Sequence, residues 1–87
     1  MHANKKQTIR LLNTAKGQIE GIIKMINEDK YCIEISNQIL ASIAILKKAN
    51  MDILEAHLNH CVVNANTIEE RQKKMEEVSE ILKKVSR

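Results

Sequence analysis

The sequence predicts an all-α protein in which three helices form each subunit. Hydrophobic residues make up 44% of the 87 residues, but they are almost all aliphatic or methionine, with one Tyr and no Phe or Trp. Proline is absent and only two glycines occur, which argues against the many turns of a β-sandwich or barrel. Apolar residues instead recur at spacings of three and four, as on one face of a helix. The length suits one domain, and we expect residues 1–87 to form a single helical domain.

The first predicted helix runs from about Asn4 to Asn27 and ends in a polar segment, residues 27–30. Its apolar stripe consists of Ile9, Leu12, Ile19, Ile23 and Ile26. Gly17 and Gly21 lie four residues apart on this helix, and each costs on the order of 1 kcal/mol of helix stability relative to alanine. We therefore expect them to allow another backbone to approach closely.

The second predicted helix runs from about Tyr31 to Val63 and is apolar around more than half of its circumference. Its stripe comprises Ile35, Ile39, Ile43, Leu46 and Ile53, widened by Ile33, Leu40, Leu54 and Leu58. Such a helix is buried on several sides. A helix of about 33 residues spans roughly 50 Å, which is longer than so small a domain needs. The pattern therefore predicts a partner helix from another subunit, in a homo-oligomer.

The third predicted helix begins near Thr67. Thr67 and Glu70 have the Thr-x-x-Glu spacing of a capping box, in which side chains satisfy the first free amide groups of a helix. The apolar face that follows consists of Ile68, Met75, Val78, Leu82 and Val85.

Charge and cysteine content narrow the class of protein. The formal net charge is +3, and the first 48 residues carry eight Lys or Arg against four acids. This excess fits a nucleic-acid partner and an ordinary solvated surface equally well. There is no run of about 18 apolar residues, and the opening residues contain no apolar core, so we expect a cytoplasmic protein without a membrane partner. Two cysteines in such a chain more often bind metal or undergo redox chemistry than form a structural disulfide.

A thiol and an imidazole occur together near the end of the second helix. His57 and Cys61 are four residues apart, which places both on one face of an α-helix. Cys32 precedes His57 by 25 residues, or roughly 37 Å along a straight helix. The three side chains can meet if two copies of the helix pack antiparallel and cross near residues 45–46. Cys32 of one subunit then lies beside His57 and Cys61 of the other, and two-fold symmetry gives two such sites.

Two thiolates and one imidazole favour copper(I), which accepts soft ligands and three-coordinate sites. Structural zinc normally takes four protein ligands. Several alternatives remain open: the cysteines as small buried hydrophobic residues, His57 as a core histidine, and a disulfide or persulfide bridge between the two thiols. His60 is about 100° around the helix from Cys61 and is expected to be exposed. His60 or His2 as an additional nickel ligand is a minor alternative.

These residues resemble the copper-sensing operon repressor family, which also contains nickel/cobalt, formaldehyde and persulfide sensors. The resemblance covers nearly the whole chain and rests on residues 17–22, 25–26, 31–32, 38–39, 54–58 and 61–62. The spacing of Cys32, His57 and Cys61 is similar to the family's copper(I) ligand pattern. Nickel/cobalt members have His in place of Cys61, and persulfide sensors lack the His at position 57. His57 therefore favours copper over sulfur chemistry.

The resemblance implies a three-helix subunit, an antiparallel dimer and a tetramer built as a dimer of dimers. It implies that the apo form binds operator DNA and releases it when copper(I) binds. It also implies that Tyr31 and Glu77 orient the ligating His and couple it to the third helix. Without the resemblance, Tyr31 would be a residue at a helix start with a hydrated hydroxyl, and Glu77 one acid in a solvated pair with Glu76.

The DNA-binding residues are the part of the sequence that departs from the family. The usual arginine positions before the Gly-Gln pair are Leu11 and Thr14 here. The predicted contacts are therefore Arg10, Lys16, Lys47 and Lys48. No dedicated recognition helix is evident, so binding would depend on phosphate contacts and duplex shape.

The sequence thus predicts a copper(I)-responsive transcriptional repressor that is not an enzyme. The alternatives are a thiol-based persulfide sensor and a cytosolic copper buffer. The long helix that builds an oligomer disfavours a buffer, because a buffer needs no scaffold that couples two sites.

Overall fold

The computed structural model describes residues 1, 3–62 and 64–85, except for the side chains of Cys61 and Val62. It contains α1 (Lys5–Asn27), α2 (Cys32–His57), a single π-helical turn (Leu58–Val62) and α3 (Ile68–Val85). No β-strand occurs in these ranges, which confirms the predicted all-α fold with three helices. The chain divides into two compact units. The hairpin unit is Lys5–Ala49, and the C-terminal unit is Met1–Asn4 with Asn50–Arg87.

The hairpin unit packs α1 against the first part of α2 along a seam with a seven-residue repeat. The buried seam residues are Thr8, Ala15 and Ile22 on α1 and Ser42 and Ala49 on α2. Half-buried residues lie between them, at Leu11, Gln18 and Met25 on α1 and at Ile35 and Ile45 on α2. Contact residues that alternate at spacings of three and four along a helix are typical of two helices that pack side by side.

A hydrogen bond crosses the seam and sets the register of the two helices. The Ser42 hydroxyl donates to Gln18 Oε1 at 2.9 Å. A neutral hydrogen bond contributes about 1 kcal/mol, whereas a buried hydroxyl left without a partner costs about 1–3 kcal/mol. Sliding α1 along α2 would leave Ser42 without this partner. The Gln18–Ser42 hydrogen bond therefore fixes the register of α1 against α2.

The turn between α1 and α2 is a compact helix cap. The Lys30 amide donates to the Met25 carbonyl at 3.0 Å, and the Asp29 amide donates to the Ile26 carbonyl at 3.1 Å. Asp29 has a φ of 53°, in the left-handed region. This is the pattern of a Schellman motif, which satisfies the last carbonyls of a helix and reverses the chain. The predicted end of the first helix at Asn27 is confirmed.

Most of the apolar stripe predicted for α1 is not covered by its own chain. Ile9, Ile23 and Ile26 are 53–55% exposed, and Leu12 and Ile19 are also exposed. Small residues such as Ala15 let α2 pack on the adjacent face of α1 instead. On α2, Ile39, Leu40, Ile43 and Leu46 are exposed as well. The hairpin unit therefore presents a large apolar surface, of the kind that marks a protein–protein contact.

The C-terminal unit places α3 against the π-helical turn, with Val78 buried. Thr67 caps α3, because the Glu70 amide donates to Thr67 Oγ1 at 3.0 Å. The Glu70 carboxylate accepts a hydrogen bond from the Asn66 amide at 3.1 Å, one residue before the cap. The predicted capping of α3 by Thr67 is confirmed, and the reciprocal bond of the box falls one residue earlier than expected.

One sequence expectation needs correction. The second α-helix ends at His57 instead of continuing to Val63, because Leu58–Val62 form a π-helical turn, and Val63 lies outside the described residues. A Cβ added at Gly17 or Gly21 would meet nothing within 4 Å, so the described part of the chain does not itself supply the backbone expected to approach these glycines. None of the described helices is long and apolar enough to cross a membrane.

We expect Asp29→Gly to raise the free energy of unfolding by about 0.5–1 kcal/mol, because glycine adopts a positive φ without steric cost. Asp29→Val should lower it by about 1–2 kcal/mol, because a β-branched residue is disfavoured there. Urea denaturation at one protein concentration measures both. Equal stability of the two variants would show that the turn does not hold Asp29 in this conformation.

Candidate metal centre

The first predicted ligand, Cys32, is the first residue of α2. Its thiol is free and exposed. The preceding residue, Tyr31, occupies the cap of the helix, since its carbonyl accepts a hydrogen bond from the Ile35 amide at 3.2 Å. Tyr31 is 67% exposed. Both side chains are thus accessible to another molecule at the start of α2.

The second predicted ligand, His57, is the last residue of α2 and is half-buried. It borders a cavity of about 460 Å³ in the C-terminal unit, together with Glu77 of α3. The rest of the cavity lining is aliphatic: Ile53, Leu54, Val78 and Ile81. The structure therefore brings His57 and Glu77 to one apolar recess, as a histidine and an acid that orients it would require.

The third predicted ligand, Cys61, belongs to the π-helical turn, and its side chain lies outside the described residues. A π-helix is hydrogen-bonded from residue i to i+5 and has more residues per turn than an α-helix. Residues four apart, such as His57 and Cys61, are therefore not stacked on one face as they would be in an α-helix. Turns of this kind are rare and are frequent at functional sites. No residue pattern in Leu58–Val62 signals a π-helical turn, and the sequence predicts a continuous α-helix there. His60, in the same turn, is exposed as predicted.

The described side chains of a single chain do not form a complete metal site. No three of the described His, Cys, Asp and Glu side chains form a group that could hold a metal ion. α2 is unbroken from Cys32 to His57, and 25 residues of α-helix rise roughly 37 Å. The donor types nevertheless suit copper(I), because thiolate and imidazole are soft or intermediate ligands.

The four predicted DNA-binding residues all belong to the hairpin unit. Arg10 and Lys16 lie on α1, Lys47 and Lys48 lie on α2, and all four are exposed. The two positions where the family usually has arginine are engaged within the chain. Leu11 is a half-buried residue of the seam, and the Thr14 hydroxyl donates to the Arg10 carbonyl at 2.9 Å.

The fold and these side chains define a class: small all-α proteins with thiol and imidazole groups on a long helix and basic residues on a helical hairpin. A family model for "Metal-sensitive transcriptional repressor" matches residues 4–84. The chain belongs to the metal-sensitive transcriptional repressor family.

Similar proteins have been named for copper. The copper-sensing transcriptional repressor CsoR of Bacillus subtilis is 32% identical over 99% of this chain and 88% of its own length. The copper-sensing transcriptional repressor RicR of Mycobacterium tuberculosis is 44% identical over 62% of this chain. That match spans just over half of RicR, at 56% of its length.

Solved structures agree on the fold. The crystal structure of the copper-sensing repressor CsoR with Cu(I) from Geobacillus thermodenitrificans superposes with a TM-score of 0.82, at 32% identity, over 94% of this chain and 85% of that chain. The nickel-responsive transcriptional regulator InrS gives a TM-score of 0.78 over 98% of this chain and 96% of its own. At 24% identity, InrS supports the fold alone.

Proposed function

We propose that this chain is a copper(I)-responsive transcriptional repressor, whose apo form binds operator DNA and whose copper(I)-bound form releases it. The observation that carries this proposal is the family match over residues 4–84 in a chain that retains Cys32, His57 and Cys61. The matched relatives named as copper sensors support the choice of metal. We further propose that residues 1–87 act as one metal-sensing, DNA-binding domain in the cytoplasm and catalyse no reaction.

The proposed ligands are Cys32, His57 and Cys61. Two thiolates and one imidazole form a three-coordinate set that suits copper(I). Cys32 offers a free, exposed thiol, and His57 borders the aliphatic recess. An apolar surround restricts water around a bound metal and strengthens the interactions of the ligating groups.

The proposed site is shared between two subunits. A straight α2 separates Cys32 from His57 by roughly 37 Å, so a second α2 that packs antiparallel must bring the ligands together. The exposed apolar residues Ile39, Ile43 and Leu46 lie near the middle of α2, where the two copies would cross. A second chain would cover these side chains, and two such dimers would form the tetramer.

Tyr31 and Glu77 are proposed to orient the imidazole of His57. Glu77 borders the same recess as His57, which supports its role directly. Tyr31 precedes Cys32 and is exposed in the single chain. In the antiparallel dimer, Tyr31 and Cys32 of one subunit would therefore both lie beside His57 of the other subunit. A hydrogen bond to the imidazole from α3 would link metal binding to the position of that helix.

DNA is proposed to be bound through its phosphates by basic residues of the hairpin unit, drawn from Arg10, Lys16, Lys47 and Lys48. All four are exposed and none belongs to the proposed metal site. Phosphate contacts position a protein on DNA, and duplex shape then supplies much of the sequence preference.

The function is tested by titrating a duplex, selected by the wild-type protein from a random pool, with apo and copper(I)-loaded protein at fixed salt. Copper(I) should weaken binding by about tenfold or more, the range of ordinary allosteric coupling. Cys32→Ala, His57→Ala and Cys61→Ala should each abolish this effect and keep the helical fold.

His60→Ala is the matched control, because His60 neighbours Cys61 and is exposed. It should leave the copper response intact. A loss equal to that of His57→Ala would contradict the proposed ligand set. Release of DNA by persulfide, but not by copper(I), would identify a sulfur sensor, and copper(I) binding without any DNA binding would identify a buffer.

The shared site is tested by mixing Cys32→Ala protein with Cys61→Ala protein. One site of each mixed dimer lacks both thiols, while the other is intact. Subunit exchange should therefore restore roughly one copper(I) site per mixed dimer. Absorption in the thiolate-to-copper(I) charge-transfer region measures the restored binding. No recovery after demonstrated exchange would show that each chain supplies its own ligands.

Glu77→Gln should reduce the copper-dependent loss of DNA affinity by about tenfold, because coupling between sites amounts to about 1–3 kcal/mol. Copper(I) should still bind, since the three ligands remain. Glu76→Gln is the matched control: it makes the same change on α3 at a residue that does not border the recess. If both variants respond alike, the role of Glu77 is only a general effect of charge.

A further inference from the structure

Glu77 borders two separate cavities of the C-terminal unit. The first is the aliphatic recess of about 460 Å³ that it shares with His57. The second is a surface groove of about 390 Å³ on α3, lined by four charged residues: Glu70, Lys73, Lys74 and Glu77. Glu77 belongs to both linings. Its carboxylate therefore lies between the imidazole of His57 on one side and the ammonium groups of two lysines on the other.

The spacing along α3 places both lysines within reach of Glu77. Lys73 precedes Glu77 by four residues, and Lys74 precedes it by three. Residues three and four apart are neighbours on the surface of a helix, and opposite charges at these spacings attract each other. Both ammonium groups are thus candidate partners of the Glu77 carboxylate.

Lys74 lies on the buried side of α3. Within Ile68–Val85, the residues that are not exposed are Lys74, Val78, Ile81 and Val85. Their spacings of four, three and four place them on one face of the helix, which is otherwise aliphatic. A lysine in such a position packs its apolar stem against its neighbours and keeps its ammonium group at the edge. Lys73, in contrast, is exposed.

The position of Lys74 makes it the stronger of the two candidate partners. Val78 and Ile81 line the recess with His57, and Lys74 precedes Val78 by about one helical turn. Lys74 therefore lies next to the recess without lining it. Partly buried charges are screened by salt less than fully exposed ones, so Lys74 attracts the Glu77 carboxylate more effectively than Lys73 does.

The two cavities give the Glu77 carboxylate two alternative positions. Because the recess and the groove are separate, a rotamer that brings this carboxylate to His57 takes it away from Lys74. A second acid remains in the groove when that happens. Glu70 lines the groove and accepts a hydrogen bond from the Asn66 amide at 3.1 Å, which holds its carboxylate at the start of α3. Lys74 thus keeps a neighbouring negative charge in both arrangements.

We propose that Lys74 holds Glu77 away from His57 in the copper-free protein and thereby raises the copper(I) concentration at which the protein responds. When copper(I) fixes the imidazole, Glu77 turns into the recess to accept its N–H, and Lys74 stays beside Glu70. Lys74 is a positioning residue in this scheme, because it acts on the metal site only through Glu77. The inference rests on the proposed function and adds to it a residue that sets the sensitivity of the response.

Lys74→Met tests the proposal, because methionine keeps an apolar stem and removes only the ammonium group. Copper(I) affinity, measured by competition with a chromophoric copper(I) chelator, should become about two- to fivefold tighter, as expected when a weak competing ion pair is removed. Lys74→Arg keeps the positive charge and should bind copper(I) as the wild type does. The thermal midpoint and far-ultraviolet circular dichroism of the copper-free variants check that the fold is retained.

A double-mutant cycle with Glu77→Gln distinguishes a pairing with Glu77 from a general effect of charge. If Lys74 acts through Glu77, Lys74→Met should change copper(I) affinity in the wild-type background but not in the Glu77→Gln background. Lys83→Met is the matched control, since Lys83 is an exposed residue of α3 that pairs with Glu80 at 3.4 Å. It should leave copper(I) affinity unchanged. Added sodium nitrate should bring the affinities of wild type and Lys74→Met together, because salt screens the pair.

The outcomes separate this inference from the function on which it rests. Weaker copper(I) binding by Lys74→Met would overturn the proposal and show that the ammonium group stabilises the bound thiolates instead. An equal gain in the Glu77→Gln background, an equal gain for Lys83→Met, or a larger gain for Lys73→Met would also overturn it. All of these results leave the copper response of the wild type in place. If the wild-type protein binds no copper(I), or binds it without a change in DNA affinity, the proposed function itself fails.

Discussion

The packing of α1 on α2 along a seam in which small residues recur is the constraint on which the rest of the structure depends. Ala15, Ser42 and Ala49 let the helices approach closely, and the Gln18–Ser42 hydrogen bond holds one register. Many of the large aliphatic side chains of α1 and α2 therefore lie outside the seam and are exposed in the single chain. The large apolar surface of the hairpin unit follows directly from this arrangement.

Local hydrogen-bonding signals in the sequence predicted the helix ends well. The polar segment after Asn27 and the Thr67–Glu70 pair act within a few residues, so their outcome hardly depends on the rest of the fold. The face by which α1 packs could not be predicted in this way. Periodicity reveals an apolar stripe but not whether the same chain or another covers it, and Thr8 and Ser42 give the seam no hydrophobic signature.

In the candidate metal site too, the sequence predicts the identities of the residues better than the contacts between distant parts of the chain. The identities and spacing of Cys32, His57 and Cys61 were readable because soft ligands are few in this chain. The recess shared by His57 and Glu77 depends on how α3 packs in the C-terminal unit, and only the resemblance to a family suggested that pairing. The π-helical turn after His57 was not foreseen, since its hydrogen bonds differ from those of an α-helix by one residue and leave no compositional trace.

The unbroken course of α2 from Cys32 to His57 has a thermodynamic consequence for a sensor of the proposed kind. When the ligands of one ion come from two chains, metal binding and chain association are linked equilibria, and each strengthens the other by the same factor. The copper threshold at which such a protein responds then depends on its own abundance. A cell that makes more of it would shift the midpoint of the response, even with every bond at the metal unchanged.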